Sequence, residues 1–135
     1  MRILALDYGS ARCGCAVSDP TGTLATPIEP VLRPGSRRGY NRVLGLVRER
    51  GVTHVVVGLP VGLSGRDTAQ TQECRDFAAR LQDGLGERVP VALYDERFTT
   101  AIAARSGSTD TAEDSRAAAV LLEDYLARHG HEVRP

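Results

Sequence analysis

The chain has no lysine; its 17 basic residues are all arginines, balanced by 17 aspartates and glutamates to a formal net charge of zero. That balance excludes a globally basic surface of the kind that coats polyanions, so any phosphate contact must come from a local cluster. The missing lysine alone says little, because compositional bias produces it as readily as selection for guanidinium forks. Cysteine is scarce and odd in number, with Cys13-x-Cys15 in a strand-like run and Cys74 in a helix-like one. No CxxC pair and no neighbouring histidine accompany them, which argues against a zinc or redox centre and for free buried thiols in a reducing compartment. A basic leader and long apolar runs are also lacking, so no membrane span is expected and a cytoplasmic location is.

What remains is ordinary soluble usage, 41% hydrophobic and 25% charged over 135 residues. That length suits one domain, 1–135, with a single layered core. No repeat, linker or low-complexity tract divides it, and residues 128–135 are expected to be a frayed tail.

The stretch "ILALDYGSARCGCAVSD" opens the chain with an apolar run, a lone carboxylate, a turn and a second apolar run. Ile3 and Ala5 alternate with Leu4 and Leu6, so both faces of this strand are covered, and Asp7 ends it. Gly9-Ser10 turns into a second strand, Arg12 to Ser18, and Gly22 into a third, Leu24 to about Glu29; links so short force antiparallel pairing. From Ser36 the period becomes helical through Tyr40, Val43, Leu44 and Val47, and Gly51 stops it. "THVVVGLP" reads as a buried strand, Asp67 or Thr68 as the cap of a second helix through Leu81, "VPVALYDE" as a fifth strand after Gly84 and Gly86, and "TAEDSRAAAVLLEDYL" as the closing helix. Right-handed crossovers make strands one, four and five parallel, giving an α/β fold with a five-stranded mixed sheet in order 3-2-1-4-5 and helices on both faces.

In a parallel set, ligands gather at the carboxyl ends of the strands. Strand one ends in Asp7, strand four in Gly58-Leu59-Pro60-Val61-Gly62 and strand five in Asp95-Glu96-Arg97. On the closing helix Asp114 shares a stripe with Ala118, Leu121 and Tyr125. Each acid alone has an ordinary explanation: Asp7 accepting hydrogen bonds from its turn, Glu96 pairing with Arg97, Asp114 in a capping box with Thr111. Together they repel one another unless cations neutralise them, and oxygen donors select a hard cation such as Mg²⁺ or Mn²⁺. Two such ions form a clamp for in-line phosphoryl displacement.

The pieces "LDYGSARCGCAVSD", "VVVGLPVGLSG", "YDERFTT" and "EDSRAAAVLLEDYL", in that order, resemble the YqgF/RuvX family of candidate pre-16S rRNA nucleases, which are related to Holliday junction resolvases. The likeness spans nearly the whole chain. It implies a ribonuclease H-like fold, an acid triad at Asp7, Glu96 and Asp114, and metal-dependent phosphodiester cleavage with two bound ions. It also implies trimming of the 5′ end of small-subunit rRNA precursor. Departures are Cys13 and Cys15 where the family has aliphatic residues, Gly62 where it usually has Asn, and "AIAARSGSTDTAE" in place of a longer basic segment before Asp114.

Arg12, Arg37, Arg38, Arg42 and Arg97 are the candidate nucleic-acid contacts, the middle three because "SRRGYNR" clusters charge at one helix start. A solvated helix face is the ordinary alternative for Arg37 and Arg38. Competing functions are an actin-type or sugar-kinase ATPase, which needs a second lobe that 135 residues do not hold, and a non-catalytic nucleic-acid-binding factor. Resolvases of the RuvC type carry an acid at the end of strand four, which is acid-free here. RNA is therefore the expected substrate and branched DNA the alternative, with the chain a monomer or weak homodimer.

Overall fold

The computed structural model describes residues 1–60, 68–95 and 111–129, with the backbone alone at 111–114 and 129. Its strands are β1 (Ile3–Asp7), β2 (Arg12–Ser18), β3 (Ala25–Leu32), β4 (His54–Leu59) and β5 (Val91–Asp95). Among the described residues the helices are α1 (Arg37–Glu49), α2 (Ala69–Leu85) and α3 (Thr111–His129). They form one sheet in the order β3-β2-β1-β4-β5, antiparallel on the β2 side of β1 and parallel on the β4 side. This is the order that the alternation of apolar runs and helical periods predicts, and it agrees with the ribonuclease H-like fold that the resemblance implies.

Side-chain alternation divides β1 between two cores. Leu4, Leu6 and Tyr8 pack with Val55, Val57, Val43, Val47, Phe77 and Leu81 under α1 and α2. Ile3 and Ala5 pack with Ala16, Val56, Ala118, Leu121 and Leu122 under α3. Cys13, Cys15 and Cys74 are fully buried thiols outside any disulfide, as expected. Hydrogen bonding with Cys15, and burial after it, pushes the Cys13 thiol well above its ordinary pKa, which keeps it protonated and unreactive.

Three boundaries differ most from the sequence reading. β3 continues past Glu29 to Leu32, because Pro27 and Pro30 lie in an edge strand, which needs hydrogen bonds along one side alone. α2 continues past Leu81 through Gly84 to Leu85. Glycine suits position 84 of that helix because Tyr40 of α1 lies against it: a Cβ at 84 would stand 2.0 Å from the Tyr40 hydroxyl. The helix stops instead at Gly86, whose φ of 72° suits glycine. α3 runs to His129, so Arg128 is helical and paired with Asp124, and the rest of the expected tail lies outside the described residues.

The helix starts behave as read. Ser36 caps α1, accepting from Gly39 N at 3.1 Å. Of the two cap candidates before α2, Thr68 is the cap, in a reciprocal box with Thr71, whose hydroxyl also donates to the Pro60 carbonyl.

Candidate active site

Because β1, β4 and β5 run parallel, their last residues Asp7, Leu59 and Asp95 open on one rim. β2 runs the other way and starts at that rim with Arg12. Asp7 pairs with Gly14 across the ladder and is only 6% exposed. Alternation sets it on the face of Ile3 and Ala5, the face that α3 covers. The next residue, Tyr8, is buried on the opposite face, its ring 4.7 Å from that of Phe77 and its hydroxyl donating to Glu73 Oε1 at 3.0 Å. Burial first, then the Glu73 carboxylate, pushes the Tyr8 phenol far above its ordinary pKa. The turn then passes so near β2 that a Cβ on Gly9 would stand 2.6 Å from the Arg12 carbonyl. Asp7 is thus held between a locked register and a turn that admits glycine at Gly9.

Asp114 belongs to the first turn of α3, and its side chain lies outside the described residues. Its neighbour Ser115 is 2% exposed. The Ser115 hydroxyl donates to the Ile28 carbonyl and accepts from Cys15 N at 3.4 Å. Cys15 pairs with Leu6, the residue before Asp7, so the start of α3 is anchored one register position from Asp7. Glu96 follows Asp95, the last residue of β5 and partner of Leu59, and itself lies outside the described residues. Farther along α3, the Tyr94 hydroxyl donates to Asp124 Oδ2 at 2.6 Å and the Tyr94 and Tyr125 rings meet edge to face at 5.6 Å. Burial and that carboxylate push the Tyr94 phenol up to about 12. This contact ties the end of β5 to α3.

Ser115, Tyr94 and Asp124 were not singled out from the sequence. Ser115 had a signal: it shares the helical stripe of Ala118, Ala119 and Leu122, where a polar residue needs a buried partner. Tyr94 and Asp124 had none, since their meeting depends on how α3 crosses the sheet.

Of the five candidate arginines, Arg12 is exposed at the rim, and Arg37 and Arg38 are exposed in the first turn of α1. α1 begins at the same rim because it follows the end of β3, where Leu32 pairs with Arg12. Arg42 lies farther along α1 and pairs with Glu49 at 3.3 Å, both side chains about half exposed. A solvated pair of this kind is worth at most about 1 kcal/mol, so it competes only weakly with other contacts of Arg42. Arg97 and Gly62 lie outside the described residues.

The donor chemistry fits a hard cation where it is described: a buried carboxylate, Asp7, at the end of a central strand. Among the described residues no three His, Cys, Asp or Glu side chains cluster closely enough to hold a metal; Glu96 and the Asp114 side chain are outside that set.

The RuvX family model, described as Holliday junction resolvase, matches residues 1–128. A relative from Koribacter versatilis is 36% identical, covering 96% of this chain and 88% of its own. Another, from a Nocardioides species, is 43% identical, covering 88% and 82%. Both are named as candidate pre-16S rRNA nucleases. Among solved structures, Thermus thermophilus RuvC in complex with a Holliday junction substrate matches with a TM-score of 0.60 at 18% identity, covering 96% of each chain. The Fowlpox virus resolvase with junction DNA matches with a TM-score of 0.55 at 11% identity, covering 93% of this chain and 99% of its own. At such identities the likeness is one of fold, and with the family match and the relatives it leads to one conclusion: the chain belongs to the RuvX family.

Proposed function

We propose that this chain is a metal-dependent nuclease that hydrolyses phosphodiester bonds, and that it trims the 5′ end of pre-16S rRNA. The observation that carries this reading is the buried carboxylate of Asp7 at the end of β1, with the first turn of α3 anchored beside it by Ser115. Asp7, Glu96 and Asp114 are the carboxylates that would hold Mg²⁺ or Mn²⁺, with two ions as the expected number. Such ions, when bound, supply an activated water and neutralise charge on the leaving oxygen. The chain's own part is to fix Asp7 through the β1 register, to keep the α3 face dry with alanine and leucine side chains, and to offer Arg12, Arg37, Arg38 and Arg97 to backbone phosphates. Arg42 is offered as a fifth contact, reached by opening its pair with Glu49.

The family description favours a second reading, resolution of Holliday junctions. Against it, β4 ends in Leu59 and Pro60 without an acid, and the net charge is zero, which suits a flexible single strand better than a rigid junction dense in phosphate. A side-by-side assay separates the two. At physiological salt with Mn²⁺, RNA with single-stranded flanks is cut faster than a mobile four-way junction, leaving a 5′-phosphate, and chelator abolishes the reaction. Symmetric nicking of the junction at the higher rate would transfer the assignment to resolution. Full activity in chelator would remove the metal-holding role from the carboxylates.

A further inference from the structure

Among the described residues three large aliphatic side chains are strongly exposed, Leu24, Leu32 and Leu93. Among the same residues Arg33 alone, glycines aside, has a positive φ, 45°. Leu32 and Arg33 are consecutive, and they stand on the rim that holds Asp7. Leu32 is 64% exposed and pairs with Arg12, while Arg12 lies two residues beyond Gly14, the partner of Asp7. With about 3.3 Å per residue along a strand and about 4.8 Å between strands, the backbones of Arg12 and Leu32 lie about 8 and about 12 Å from that of Asp7.

The fold uses the main chain of Arg33 and leaves its side chain exposed. Its N–H donates to the Ala11 carbonyl at 2.9 Å, and its carbonyl accepts from Ser36 N at 2.9 Å and Ser36 Oγ at 2.7 Å. α1 presses on this corner closely, since a Cβ on Gly39 would stand 2.0 Å from the Arg33 carbonyl. Every one of those contacts is available to glycine, which adopts the left-handed backbone without steric cost. A bulky L-residue kept in that conformation, just before Pro34, points to a use for its side chain outside the fold.

We propose that Leu32 and Arg33, together with Arg12, cradle the single-stranded RNA that flanks the cleaved bond. Arg33 and Arg12 contact backbone phosphates, and the Leu32 side chain receives the apolar face of an unstacked base. Charge complementarity and continuity with the rim of Asp7 favour this occupant. The inference rests on the nuclease reading and extends it to Leu32 and Arg33, which that reading does not use.

The test is anisotropy of a labelled single-stranded RNA with the full chain in chelator, across a range of salt. Arg33→Gly and Arg33→Gln should each flatten the slope of log affinity against log salt by about 0.7. Arg33→Gly should melt no lower than the parent, because the backbone strain goes with the side chain. Leu32→Ser should weaken binding about threefold at every salt concentration with an unchanged slope, because an apolar contact releases no counterions. Unchanged slopes in both Arg33 variants, unchanged affinity in Leu32→Ser, or a parent that does not bind the strand would overturn the cradle. Cleavage of the same RNA with Mn²⁺ by the parent and by Asp7→Asn judges the nuclease reading separately. Binding that responds as described without cleavage by the parent would sink that reading and leave the cradle standing.

Discussion

Leu4, Leu6, Val55 and Val57 meet α1 and α2 through large side chains, whereas Ala5 and Ala16 meet α3 through Ala118 and Ala119 with leucines beyond. Large side chains on the first face each remove much apolar area from water on folding. The second buries less and gains proximity, because small side chains let a helix axis approach the sheet. Asp7 lies on the second face, beneath the helix that carries Asp114. The bulky face therefore supports the fold, and the alanine face sets how near α3 comes to β1.

The largest way to test that division is at Asp7 itself. Asp7→Asn keeps the volume and removes the charge, so RNA cleavage should fall by about a thousandfold or more. Melting in chelator should stay level or rise, since a buried carboxylate has been neutralised. Wild-type turnover by this variant would detach the chemistry from the alanine face.

Next in size, Leu81→Ala on the bulky face opens a cavity at a fully buried position, and denaturant titration should show a loss of about 2–5 kcal/mol. Cleavage per folded molecule, measured well below the melting temperature, should not change. The converse substitution, Ala118→Leu, overfills the α3 face at another fully buried position. It should cost about 1–3 kcal/mol, yet reduce cleavage per folded molecule by about ten- to a hundredfold, as the start of α3 is pushed from β1. Equal effects of Leu81→Ala and Ala118→Leu on cleavage would erase the distinction between the faces.

The smallest expected effect is in alkali. Tyr94 ties β5 to α3, and the folded protein holds its phenol proton more tightly than the unfolded chain, the pKa rising from 10.0 to about 12. The stability this adds is complete below pH 10 and is lost as pH rises towards about 12. Tyr94→Phe should lower stability at neutral pH by about 1 kcal/mol and shallow its decline above pH 10. An identical decline in the variant would assign that slope to Tyr8, whose phenol is raised for the same kinds of reason.

Legibility varied along the chain rather than between the faces. The β1 and β4 runs, Val43 and Val47 of α1, the onset of that helix at Ser36, Thr68 as one of two candidate caps for α2 and the buried thiols could all be read from residue order, because period and capping are local. The ends of β3 and α2 could not. Pro30 reads as a strand breaker until β3 is known to be an edge, and Gly84 reads as a helix breaker until Tyr40 is seen above it. Asp7 was legible as a carboxylate ending a buried strand. Arg33 was not, because a left-handed arginine carries no sequence signal.

By itself the sequence determined the order of elements, the 3-2-1-4-5 sheet and the placing of Asp7 at a strand end. Hydrophobic period and the handedness of crossovers act over short stretches, and they leave few alternatives at this length. The tertiary structure alone decided that Ser115 anchors α3 beside Asp7, that Tyr94 meets Asp124, and that Leu32 and Arg33 stand exposed on the same rim. Those placements depend on the path of α3 across the sheet and on the corner between β3 and α1, which no local pattern encodes because they arise from packing between segments distant in the chain.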